Sequence, residues 1–189
     1  GMLIVYMNDF NNLPEIVKIV LDFQPGSFES FDDYTLNLAL KYVFDFAPIL
    51  HVNKLHAAME FLPEFLMKFE KGTPKLTLII EFEADNKPKI ERLLMELNFN
   101  LEQFKNVHTK VIQSQEEQDK DWAIRRESFN LLRKKLTNYK ACPFIDDTCV
   151  DPKILPEFLP KLYKILDDHH LLYSIAGHIG NGNFHIFPL

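Results

Sequence analysis

Three features of the sequence predict an α+β fold built on an antiparallel or mixed sheet. Short apolar or alternating runs, such as MLIVYM (Met2 to Met7) and KLTLIIEFEA (Lys75 to Ala84), take turns with segments of helical spacing. The closing stretch SIAGHIGNGNFHIF holds an Asn-Gly pair flanked by alternating apolar residues, the strongest short-range signal of a hairpin. The six glycines form neither GxGxxG nor GxxxxGKS/T, so no strand leads into a nucleotide cradle. Hairpin-linked strands and a recurring βαβ order then favour a ferredoxin-like sheet, with helices packed on one face, over a doubly wound one.

Each element follows in order. Met2 to Met7 has the length and β-branching of a buried strand, and NLPEIVKIVLDF carries helical spacing with Pro14 suited to a first turn. SFESFDD reads as a short strand leading into the helix YTLNLALKYV. From about 47 to 74 the pattern is weak and punctuated by Pro48, Pro63 and Pro74, which predicts a partly helical insertion. A strand at Lys75 to Ala84, an amphipathic helix KPKIERLLMELN and a strand VHTKVI come next. The long helix SQEEQDKDWAIRRESFNLLRKKL opens on a Ser114-x-x-Glu117 capping box. FIDDTCV is a strand, ILPEFLPKLYKILDDH a helix interrupted near Pro160, and the hairpin closes the chain. Residues 2 to 189 thus form one domain or two ferredoxin-like halves.

Composition narrows the function classes. At 189 residues and 47% hydrophobic the chain buries a sizeable core, to which seventeen Phe and one Trp contribute much of the volume. The net charge of −6, with LLRKKL as the only basic run, argues against a nucleic-acid partner. No run of about 18 apolar residues and no leader pattern is present, which points to a cytoplasmic location. Cys142 and Cys149 fit neither a metal knuckle nor a CxxC pair and read as reduced thiols.

Two places carry chemistry. With Asn181 and Gly182 as the central pair of a two-residue turn, His178 faces His185, their Cβ atoms about 4.5–5.5 Å apart. Two such imidazoles can share a metal ion, zinc bonding nitrogen at about 2.0–2.1 Å, or form a plain polar cross-strand pair. Alternation puts Ile175, Ile179, Phe184 and Ile186 on a core face and Ser174, Ala176, His178, Asn183 and His185 on the other. A third ligand is not supplied within the hairpin. On the long helix, Trp122, Arg125, Phe129, Leu132 and Leu136 follow the spacing of one buried stripe, which puts a guanidinium where an apolar side chain is expected. Arg125 must therefore find an anion or reach solvent, and its fork suits a carboxylate. Arg126 lies one step off the stripe, in solvent or paired, and His51, His56, His108, His169 and His170 read as surface or turn residues.

GHIGNGNFH (Gly177 to His185) resembles the GHxGDGNxH segment of the C-terminal domain of FAD-linked oxidases, the group that includes D-lactate, glycolate and D-2-hydroxy acid dehydrogenases. WAIRRE (Trp122 to Glu127) resembles that group's WxxRE helix, and DDTCVDPKILPEFL (Asp146 to Leu159) its DVxVP segment with the helix start that follows. The N-terminal strand, the helix after it and LTLIIEFEA fit the same order, so the resemblance covers nearly the whole chain. It implies a cap or substrate domain whose sheet lies over a flavin held by a separate, N-terminal FAD domain. The parent protein would oxidise a small 2-hydroxy acid such as D-lactate by hydride transfer to flavin, to an electron acceptor the sequence does not identify. His178 and His185 would be ligands of zinc, manganese or iron, and Arg125 and Asn183 would bind the substrate. Asn181 stands where the group has Asp, and Asp151 precedes Pro152 where the group has Val. The group's later Glu-His-Gly segment, source of a third ligand and of an acid/base histidine, would lie beyond Leu189. The chain therefore reads as an excised domain, inert alone, from a parent that is cytoplasmic or peripheral at a membrane. The alternative from another class is a free-standing ferredoxin-like module that binds a ligand or partner without redox chemistry.

Overall fold

MLIVYM is buried at every position, and a strand whose two faces are both covered belongs at the middle of a sheet with helices on either side. The computed structural model describes residues 1–135 and 147–188 and places that strand so. In chain order the elements are β1 (Met2–Met7), α1 (Leu13–Asp22), β2 (Ser27–Asp32), α2 (Asp33–Lys41), α3 (Val43–Phe46), α4 (Lys54–Glu60), α5 (Leu62–Lys71), β3 (Leu76–Glu81), α6 (Lys87–Leu101), β4 (Val107–Ile112), α7 (Gln115–Lys135), β5 (Asp147–Cys149), α8 (Leu155–Asp168), β6 (Tyr173–Gly177) and β7 (Asn183–Pro188). Leu136, Cys142 and Phe144 to Asp146 lie outside the described residues, as do the side chains of Phe129 and Leu132. Among the described residues no helix is long and apolar enough to cross a membrane.

The strands form one sheet in the order β4-β1-β3-β2-β6-β7-β5, and every pairing is antiparallel. The first four strands with α1 and α6 make the ferredoxin-like unit, which β6, β7 and β5 extend beyond β2. The α+β class holds, but helices lie on both faces and not on one. Leu3, Val5 and Met7 share a core with Ile16 of α1, Leu97 of α6 and Leu159 of α8. Met2, Ile4 and Tyr6 meet Leu36 of α2, Phe61 and Ile124 of α7 on the other side. The helices between β2 and β3, together with α7, form this second layer, because their own apolar stripes need cover as much as the sheet does. α8 runs without a break through Pro160, since Leu155, Leu159 and Leu166 hold it to the core on both sides of the lost hydrogen bond.

Two polar devices fasten these elements to one another. Lys120 of α7 is fully buried against Glu64 of α5, Nζ to Oε1 2.6 Å, and donates also to the Glu60 carbonyl at 3.3 Å. The second device is the seam between the ferredoxin-like unit and the closing hairpin. β2 and β6 share only two register pairs, Ser30 with Gly177 and Phe31 with Ala176. Side chains lengthen that short ladder. Ser30 Oγ donates to the Gly177 carbonyl at 3.2 Å, the Thr35 and Ser174 hydroxyls meet at 2.7 Å, and Asp32 accepts the Ile175 amide at 3.0 Å. The same Asp32 caps α2 through the amide and hydroxyl of Thr35, at 2.8 and 2.6 Å.

Replacing Asp32 by Ala strands the Thr35 and Ile175 amides at once, so equilibrium denaturation of Asp32→Ala is expected to lose about 3 kcal/mol. A loss under 1 kcal/mol would show that the seam holds without it. Burial raises both Asp32 and Asp121 to about 7. A carboxyl raised above its unfolded value of about 3.9 favours the fold while protonated, so its contribution is complete below about pH 4 and lost as pH rises through about 7. Asp121→Asn stays neutral, and between pH 5 and 8 it is expected to lose on the order of 2 kcal/mol less than wild type. Parallel stability curves for the two proteins would refute this.

Candidate functional site

The Asn-Gly pair does turn the chain, with a different corner from the one its dipeptide suggests. Ile179–Asn181 form a single 3-10 turn, and only Gly182 takes positive φ, at 66°. The His178 carbonyl accepts the amides of Asn181 and Asn183, at 3.1 and 3.2 Å. His185 consequently pairs with Ala176 and not with His178, a slip of two residues. Val150, just past β5, packs against the corner: its amide donates to the Gly182 carbonyl at 2.8 Å, and a Cβ on Gly182 would stand 1.8 Å from its oxygen. A slip of two preserves the faces, because side chains alternate with period two. Ile175, Ile179, Phe184 and Ile186 are therefore core, and the two imidazoles still meet, ring centroids 5.6 Å apart and edge to face.

The partners of these rings come from three other strands and helices. Continuing the β2–β6 register past Ser30 and Gly177 sets Glu29 level with His178. Glu29 Oε1 lies 2.5 Å from His178 Nδ1, and its Oε2 accepts from Arg125 Nη2 at 3.1 Å. On the hairpin's far side, Asp147 of β5 pairs with His185 in the ladder. Its Oδ1 lies 3.0 Å from His185 Nδ1 and accepts from Asn183 Nδ2 at 3.0 Å. Arg125, Glu29, His178, His185, Asp147 and Asn183 thus form a continuous polar row across the sheet. Glu29 and Arg125 are largely buried, with 11% and 14% of their side chains exposed, while His178 is half-exposed at 53%. The row is closed at its α7 end and open toward β5.

Arg125 does not lie on the buried centre of α7. That face runs through Asp121, Ile124, Ser128 and Leu131, and Trp122 packs against it from the side. The guanidinium finds its anion in Glu29, and burial draws its pKa below the ordinary value while the Glu29 charge acts the other way. Arg126 stacks on Trp122 at 4.6 Å. Glu29 and Asp147 are the site residues that motif reading missed. Glu29 had a signal: in SFESFD it shares the Phe31 face of a strand buried on both sides, where a carboxylate requires a cation.

An ionised carboxylate only accepts hydrogen bonds, so a neutral histidine facing one through Nδ1 would carry its hydrogen there and leave Nε2 with a lone pair. A metal-binding histidine characteristically gives its second nitrogen to a carboxylate in this way. Two polar atoms of the row have no partner: Arg125 Nε, a donor, and Asn183 Oδ1, an acceptor, both buried. His51 and His170 sit at left-handed turn positions, φ 57° and 53°. His56 joins Glu60 and Glu116 in the one grouping of three metal-ligand types among the described residues, on helices α4 and α7 away from the hairpin. Cys149 is a free, exposed thiol.

Comparison with known proteins bears on this arrangement. The chain is 28% identical over 169 residues to a D-2-hydroxyglutarate dehydrogenase of Haemophilus influenzae, covering 86% of this chain and 15% of that protein. It is 26% identical over 185 residues to one of Pantoea ananatis, covering 95% of this chain and 17% of that protein. It therefore spans about one sixth of the length of these relatives. An alkyldihydroxyacetonephosphate synthase structure superimposes with a TM-score of 0.62 at 11% identity, over 99% of this chain and 35% of that one. A 4-ethylphenol oxidase from Gulosibacter chungangensis, in complex with isoeugenol, gives a TM-score of 0.58 at 12% identity, over 100% and 39%. At such identities the two structures speak for the fold alone. The family described as FAD linked oxidases, C-terminal domain, matches residues 6–189, and this chain belongs to it.

Proposed function

We propose that the chain is the substrate-capping domain of a flavoprotein that oxidises a small 2-hydroxy acid, with Arg125 and Asn183 holding the acid and His178 and His185 holding a divalent ion. The observation that carries this reading is the pair of buried atoms left without partners, a donor on Arg125 and an acceptor on Asn183. Such atoms cost roughly 1–3 kcal/mol each unless something meets them. A 2-hydroxy acid offers the complement on neighbouring carbons, a carboxylate that accepts and a hydroxyl that donates.

Arg125 keeps Nη2 on Glu29 and has its buried Nε–H left for the acid's carboxylate, whose charge it neutralises in a partly desolvated place. Asn183 Oδ1 takes the hydroxyl hydrogen bond and so fixes which face of C2 is presented. Asp147 and Glu29 hold the two rings. FAD on a separate N-terminal domain would supply the two-electron acceptor, and a zinc, manganese or iron ion, which His178 and His185 would hold, would supply Lewis acidity toward the hydroxyl. The names of the relatives make D-2-hydroxyglutarate the first substrate to try, with D-lactate as its shorter, monocarboxylate counterpart.

Full-length parent protein reconstituted with FAD is expected to reduce an artificial dye with one of these D-2-hydroxy acids and not with its L enantiomer. Absence of turnover with every acid in a D-2-hydroxy acid panel would refute the reading and leave a binding module. In the active protein, Arg125→Met should lower kcat/KM by about 10²–10³-fold, equivalent to roughly 3–4 kcal/mol. His185→Ala should lose both activity and the bound ion on metal analysis; full activity in either variant would remove that residue from the site.

A further inference from the structure

Glu29 lies at the middle of the polar row, and neither the hairpin motif nor the arginine helix contains it. Glu29 as a whole is buried, and its carboxylate has two different partners, one per oxygen: His178 Nδ1 on Oε1 and Arg125 Nη2 on Oε2. A carboxylate placed only to neutralise a buried guanidinium would engage it with both oxygens, the bidentate geometry that a planar fork favours. Here the second oxygen is spent on an imidazole, and the guanidinium is left with a buried Nε–H that has no partner.

We infer that Glu29 is a positioning residue, whose carboxylate sets the tautomer of His178 and at the same time restrains Arg125 by a single arm, so that the imidazole nitrogen that would hold the ion and the guanidinium N–H that would meet the acid are both left free. The inference deepens the acid-binding reading above and rests on it for the identity of that ligand. Its physical basis is the chain's own hydrogen bonding. A neutral imidazole carries one N–H, and an ionised carboxylate 2.5 Å from Nδ1 holds that hydrogen there, which leaves the lone pair on Nε2. His185 has the same relation to Asp147 at 3.0 Å, but Asp147 is 65% exposed and touches no cation of the row. Among the described residues Glu29 alone connects the histidines to the arginine. Its place on β2, beside the short seam with β6, ties that connection to the strand pairing itself.

The test reads the tautomer directly in the metal-free 189-residue chain. With ¹⁵N-labelled histidine and long-range ¹H–¹⁵N correlation at about pH 8.5, above the ordinary histidine pKa of about 6.5, His178 is expected to carry its hydrogen on Nδ1. In Glu29→Ala the His178 signature should move toward the Nε2–H form, while that of His185 stays as it was. Asp147→Ala should do the reverse. Glu29→Met, which preserves volume and removes both acceptors, repeats the measurement should the alanine protein fail to fold, and backbone amide spectra report the fold of each variant. Zinc titrated into the same proteins should bind about 10–100-fold more weakly when Glu29 is replaced. A wild-type His178 protonated on Nε2, or a His178 tautomer unmoved in a folded Glu29 variant, overturns the inference. A wild-type chain that binds no zinc, with the tautomers as expected, would instead count against the proposed metal and leave the role of Glu29 standing.

Discussion

The site depends on the seam between β2 and β6. Two register pairs are few for a junction that joins four strands to three, and a ladder that short is marginal by itself. Ser30, Asp32, Thr35 and Ser174 supply side-chain hydrogen bonds where backbone pairs are missing. The consequence for function is geometric. Glu29 stands on β2 one residue before the seam and His178 on the hairpin one residue after it, so any slip at the junction separates carboxylate from imidazole. A one-residue slip would also send His178 and His185 to the α8 face.

Much of the fold was legible in the sequence because its strands are unambiguous. MLIVYM and LTLIIE are β-branched or leucine-rich, buried on both sides and bounded by polar turns, so local preference and tertiary environment agree. The layering was not legible to the same degree. Which face of a sheet receives a helix depends on where the chain crosses over, and the helices between β2 and β3 were visible only as a weak pattern with prolines. Pro160 misled for a related reason: the rule that proline interrupts a helix is local, whereas Leu155, Leu159 and Leu166 hold that helix through contacts distant in sequence. The class was set by composition and period, and the number of layers by topology.

At the site the same division appears. The motif residues His178 and His185 came together even though the turn that brings them takes in two more residues, Ile179 and Gly180, ahead of the Asn-Gly pair, because face is conserved under a two-residue slip. Arg125 was marked by its misfit in an apolar helix, and an arginine 96 residues from Glu29 in sequence finds it across the seam. Asp147 was hidden, an ordinary acidic residue in an exposed strand, and the signal of Glu29 could be read only once β2 was known to be covered on both faces. Residues of a motif are therefore easier to read from sequence than the carboxylates that face them: the former stand together in the chain, the latter are brought in by the register.

Unpartnered buried atoms alone do not make a site. Glu64 Oε2 and Asp121 Oδ2 are orphans of the same kind, yet they accompany Lys120, whose side chain is entirely enclosed between α5 and α7. No ligand could reach them without opening the layer, and burial there is answered by raising Asp121 toward its neutral form. Arg125 and Asn183 differ in their surroundings. Each is bonded to a carboxylate that also holds a histidine, and one of those histidines is half-exposed. The unmet donor and the unmet acceptor thus belong to a row with access to solvent, where a bound molecule would offset the energetic cost of leaving them open. That difference in access, with equal burial of the atoms themselves, separates a structural charge cluster from a site.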